Sequence, residues 1–155
     1  MGFQINALHE SLFNELFALS DTELVKRSAR RMVAEVKRGY PCRVSLVDAE
    51  IGETVILLNY EHQAHDTPYR SCHAIFVRQS AKQAVPKPGE VPEALSSRLL
   101  SVRAFDCTHD MIAAEVVDGR QVEATIYDLF ADTKVDYLHL HNAKPGCFAA
   151  SVTRV

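Results

Sequence analysis

Two histidines separated by one residue, in Tyr137-Leu138-His139-Leu140-His141-Asn142, are a pattern that can do chemistry. Alternate side chains of a strand share a face, so His139 and His141 project together while Leu138 and Leu140 project the other way. Two imidazoles placed like this can ligate a metal if a third ligand arrives from elsewhere in the chain. Glu61, His62 and His73 are the candidates for that third position. The plainer reading holds no metal: the pair hydrogen-bonds within a half-buried sheet.

A second group is Asn59-Tyr60-Glu61-His62 together with Thr67-Pro68-Tyr69-Arg70-Ser71-Cys72-His73. Both stretches sit at strand ends around one loop, where binding groups concentrate. The planar fork of Arg70 suits a carboxylate or phosphate, with Tyr69 and Ser71 adding hydroxyls. Against this, Arg70 can simply pair with Glu61 or Asp66 to hold the loop. A third group is Gly146-Cys147, a few residues after His141. A thiol beside an imidazole is a nucleophile in some enzymes. Cys147 also opens a strand that contains Phe148, where a small buried cysteine is ordinary core. Among these groups His141, Cys147 and His73 are the candidates for a catalytic role. The phosphate loop, the G-x-S-x-G elbow and the H-E-x-x-H helix are all absent.

The elements that must position these groups follow from periodicity and punctuation. Leu12, Phe13, Leu16, Phe17 and Leu19 fall on one face at helical spacing. Ser20-Asp21-Thr22-Glu23 is a capping box, predicting a second helix with Leu24, Ser28 and Met32 on its inner face. Thr54 to Tyr60 is apolar on both faces and reads as a central strand. Strands are expected over Cys72 to Arg78, Leu99 to Phe105, Met111 to Val117, Val135 to Asn142 and Cys147 to Val152. The pair 99–105 and 111–117 forms a hairpin, and Lys144-Pro145-Gly146 supplies a tight turn. Val122, Ile126, Leu129 and Phe130 mark one amphipathic helix near residues 119–132. Strands that follow one another without helices between them predict an α+β fold, mainly antiparallel, with N-terminal helices.

Bulk properties narrow the function classes. A chain of 155 residues fits one domain, 1–155. Its net charge of −3 argues against nucleic acid as partner, since phosphate contacts need a basic face. No apolar run approaches the roughly 20 residues that span a bilayer. The four cysteines are widely spaced and form no C-x-x-C pair. With no export signal at the start, a cytoplasmic protein with reduced cysteines is expected.

The runs Tyr40-Pro41-Cys42-Arg43-Val44-Ser45-Leu46, Leu57-Leu58-Asn59-Tyr60-Glu61-His62, Pro68-Tyr69-Arg70-Ser71 through Arg78, and His139-Leu140-His141-Asn142-Ala143 through Phe148 resemble a bacterial family known as domain of unknown function 1203. The resemblance covers nearly the whole chain and implies a stand-alone protein of one domain. It implies no activity, cofactor or site residue. The residues themselves point first to a pocket for a small anionic metabolite, with arginine as anchor and histidine as proton carrier. Arg43, Asn59, Glu61, His62, Tyr69, Arg70, His73, His139, His141 and Asn142 would build it. The rivals are a non-enzymatic interaction protein, such as a homodimer joined through Leu12, Phe13, Leu16 and Phe17 or through its sheet, and a metal-dependent enzyme using His139 and His141.

Overall fold

The computed structural model describes residues 1–155 and contains two antiparallel sheets. The larger has five strands in the order β1-β8-β7-β5-β6. These are β1 (Phe3–Asn6), β5 (Leu99–Phe105), β6 (Met111–Asp118), β7 (Tyr137–Asn142) and β8 (Phe148–Arg154). The smaller sheet has the order β2-β3-β4, from β2 (Ala29–Val33), β3 (Thr54–Gln63) and β4 (Ser71–Arg78). The architecture is therefore α+β, as the strand succession predicts. No helix is long and apolar enough to cross a membrane.

The larger sheet has two unlike faces. Leu100, Val102, Ala104, Leu138, Leu140, Ala150 and Val152 all point one way, onto Val122, Ile126 and Phe130 of the helix α3 (Val122–Phe130). That is the helix expected from its i, i+4, i+8 spacing, and it covers this face by burying its apolar stripe. The opposite face carries Ser101, Arg103, His139, His141 and Ser151, which lie side by side in the register Ser101↔His141, Arg103↔His139↔Ser151. The smaller sheet packs against that polar face.

The smaller sheet has its own core of Phe13, Leu16, Leu24, Ile56, Leu58, Ile75 and Val77. β3 lies in its middle, as its two apolar faces require. That same requirement overturns two expectations about the first third of the chain. The segment around Leu12 to Leu19 is not one helix but two short 3-10 turns, Glu10–Leu12 and Asn14–Ala18. Phe13 and Leu16 are buried in the core, so the stripe offered as a dimer surface is mostly internal, and only Leu12 stays well exposed. The Ser20/Glu23 capping box is present at the start of α1 (Asp21–Lys26), with both reciprocal hydrogen bonds formed. The helix then stops at Lys26. Ser28 adopts a positive φ of 53° and reverses the chain into β2, where Ala29 to Val33 pair with Leu58 to Thr54. The backbone of a buried central strand needs partners on both edges, and supplying the second one outweighs the weak helical pattern of residues 27–32.

Candidate functional site

The polar seam between the two sheets collects the histidines. His139 and His141 are 7% and 0% exposed, on the same face of β7 as the alternation demands. His62 reaches them from β3 across the seam. Its ring centroid lies 4.8 Å from that of His141 and 6.2 Å from that of His139. One ring nitrogen from each residue falls within 4.8 Å of the others. A tetrahedral zinc ion with Zn–N bonds of about 2.05 Å needs N···N separations of about 3.3 Å.

Two strand irregularities build this meeting point. Between β3 and β4 the register runs Tyr60↔His73 and then Gln63↔Ser71, so β3 carries one extra residue beside His62. Between β7 and β8 it runs Leu140↔Ala150 and then His141↔Phe148, so β8 bulges there too. The second bulge sets Phe148 against all three imidazoles. Its ring stacks on His62 at 5.7 Å and stands edge-on to His139 at 5.1 Å and His141 at 5.8 Å. An aromatic wall excludes water from one side of the cluster.

Each imidazole keeps one buried nitrogen without a hydrogen-bond partner: Nδ1 of His62, Nδ1 of His139 and Nε2 of His141. Buried polar atoms are nearly always paired, so three orphans on one cluster need a cause. For His141 the tautomer follows from its surroundings. Its Nδ1 lies 3.0 Å from the Gly146 carbonyl, which can only accept, so Nδ1 carries the hydrogen and Nε2 presents a lone pair. A backbone carbonyl holding the far nitrogen is the usual way a protein orients a metal-binding histidine. Burial, reinforced for His62 by Arg103 and His73, pushes that ring down to about 4. Burial does the same to His139 and His141, pushed to about 3 with Arg103 and the neighbouring rings adding to it. At neutral pH all three are uncharged.

Arg103 is the residue that chemical spacing alone passed over. It sits directly across from His139 on β5, and its Nε donates to Ser101 Oγ at 3.2 Å. No carboxylate pairs with it, so its positive charge faces the histidine cluster. The alternation Leu100-Ser101-Val102-Arg103-Ala104 places Ser101 and Arg103 opposite the core residues, and that was the available signal. Farther along the seam, Gln63 Nε2 donates to Tyr137 Oη at 2.9 Å. The His65 and His109 rings stack with centroids 3.3 Å apart, and His109 Nδ1 lies 3.0 Å from the same Tyr137 hydroxyl.

The expected single pocket divides. Of the three candidate third ligands, His62 meets the strand pair, whereas Glu61 and His73 do not. Glu61 is the neighbour of His62 on a strand, so its side chain points outward; there it takes Arg70 Nε at 3.1 Å as an exposed ion pair. Asn59 faces outward for the same reason. Tyr69 is 39% exposed and stands edge-on to Phe105. These four residues are off the site, and Arg70 has the structural role weighed for it. Arg43 and Asn142 meet elsewhere: they converge on Cys147, and His73 borders the same cleft.

Comparison with protein families finds a match to "Protein of unknown function (DUF1203)" over residues 39–154. The chain belongs to this family. Comparison with curated proteins and with solved structures returns no match. The matched span contains every residue of the histidine cluster, Arg103 and the Arg43–Cys147 pair.

Proposed function

We propose that this protein binds one divalent transition-metal ion through His62, His139 and His141, and uses it to polarise a small anionic molecule. The observation that carries this reading is the set of three neutral imidazoles, two buried and one half-buried, whose buried nitrogens lack hydrogen-bond partners and converge across the seam. Imidazole donors favour zinc, copper, iron or nickel over magnesium or calcium. Three protein ligands leave a position for water or substrate, the pattern of catalytic rather than structural sites. A bound ion would supply Lewis-acid activation of a group in that position. The chain's own residues contribute the rest. The Gly146 carbonyl fixes the His141 ring, Phe148 limits water, and Arg103 adds a cation that favours a negatively charged partner over a neutral one. The reading thus joins the metal and anion alternatives that the sequence raises.

Tag-free protein, stripped with chelator and titrated with Co²⁺, tests it. One equivalent should bind with the visible absorption of a low-symmetry cobalt site, and Zn²⁺ should displace it. His139→Phe and His141→Phe should each abolish that spectrum while leaving the circular dichroism unchanged. Absence of stoichiometric binding by folded wild-type protein ends the proposal.

A further inference from the structure

A second chemical centre lies on the other flank of β7, independent of the metal reading. Arg43 is only 2% exposed, and the atoms that meet its guanidinium are two carbonyls and a sulfur. Nε donates to Phe148 O at 2.7 Å, one terminal nitrogen donates to Pro41 O, and the other donates to Cys147 Sγ at 2.9 Å. No carboxylate is among them. A buried cation without a counter-charge is costly, and the protein interior tolerates one only when it is paired. Carbonyls solvate the guanidinium but do not neutralise it. The sulfur is the one partner that can carry a negative charge. Asn142 Nδ2 points at the same sulfur from 3.6 Å, adding a second side-chain N–H dipole that favours an anion there.

Cys147 is 6% exposed and stands at a cavity. Cys147, Arg43 and Asn142 border a cleft of about 560 Å³. Its lining includes Arg38, Arg98 and Lys144 but no aspartate or glutamate, in a chain whose net charge is −3. Arg98 is neutralised by Asp48 at 2.5 Å, and Arg38 lies 3.5 Å from Glu93, which leaves Lys144 at the rim as the exposed cation without a partner. Asn142 Oδ1, buried and without a hydrogen-bond partner, is a further unsatisfied group beside the sulfur. The other cysteines differ in kind. Cys72 and Cys107 are exposed, and Cys42 is buried under the backbone N–H groups of Ser45 and Arg78. Gly146, at φ +83°, makes the turn that aims Cys147 at Arg43, and it also offers its carbonyl to His141.

We propose that Cys147 is a nucleophile, held by Arg43 and Asn142 at the edge of a cationic cleft, and that it attacks small anionic electrophiles. In the reaction a carbon–sulfur bond forms at Sγ, and the electrophile's leaving group departs with its bonding pair. Thiolate is the reactive form of cysteine, so the claim has a direct kinetic reading. The full chain carrying Cys72→Ser and Cys107→Ser is treated with iodoacetate and, separately, with neutral iodoacetamide, and modified peptides are mapped by mass. Iodide leaves in both reactions. Iodoacetate should react faster than iodoacetamide, the reverse of the order for glutathione in the same buffer. Lys144→Gln, an exposed change that the fold tolerates, should slow iodoacetate and leave iodoacetamide unaltered. An unmodified Cys147 in folded protein overturns the nucleophile. A glutathione-like preference for iodoacetamide overturns the anionic substrate class.

Discussion

The molecule holds two buried polar clusters within a few residues of each other in sequence, one in the seam between the sheets and one on the other flank of β7, and they solve burial in opposite ways. At His62, His139 and His141 the groups are neutral, and each leaves a nitrogen unsatisfied. At Arg43 the group is charged, and its three nitrogens all donate. A protein interior can hold an orphaned neutral acceptor at modest cost, but an unpaired charge costs much more. Arg43 already has its partners, so it serves the sulfur and the fold together. The imidazoles each keep a buried nitrogen without a hydrogen-bond partner, and the metal proposal rests on that feature.

That contrast can be broken most forcefully by removing one member from each side. Arg43→Met leaves two buried carbonyls and a sulfur without their donor, and should cost about 3–5 kcal/mol in urea unfolding. His139→Phe replaces an orphaned buried ring with an apolar one of similar shape, and should cost less than about 1.5 kcal/mol in metal-free protein. Equal losses for the two variants would mean that the clusters do not differ as described.

A further effect concerns pH. The three cluster histidines have folded values near 4, 3 and 3, below the value of about 6.5 expected in the unfolded chain. As pH falls through 6.5 the unfolded chain takes up protons that the folded one refuses, so stability declines with falling pH. The contribution is intact above pH 6.5 and is gone by about pH 3. Metal-free protein should therefore show a falling urea midpoint from pH 7 to pH 5, and His139→Phe should flatten that slope. Identical slopes in wild type and variant would place the pH sensitivity elsewhere.

The smallest effect is expected at the surface. Arg70→Ala removes an exposed ion pair with Glu61. It should leave the melting temperature, the cobalt spectrum and Cys147 reactivity unchanged. Loss of any of these would return the 59–73 loop to the site from which strand alternation excludes it.

Much of this was legible in the residues. The α+β class, β3 as a central strand, the hairpin of β5 and β6, the helix α3, and the shared face of His139 and His141 all follow from periodicity, which is local and survives without coordinates. The same period of two separates Asn59 and Glu61 from Tyr60 and His62 along β3. Folding alone decided the rest. Residues 29–33 became a strand because β3 needed a second edge, a demand made from some 25 positions away. His62 met β7 across the seam beside two bulges, and Arg43 reached Cys147 across 104 positions, through the packing of distant segments. Hydrophobic patterning fixes which face a side chain takes, since that depends on its neighbours in the chain. Which faces meet depends on how two sheets pack, and no local pattern carries that information.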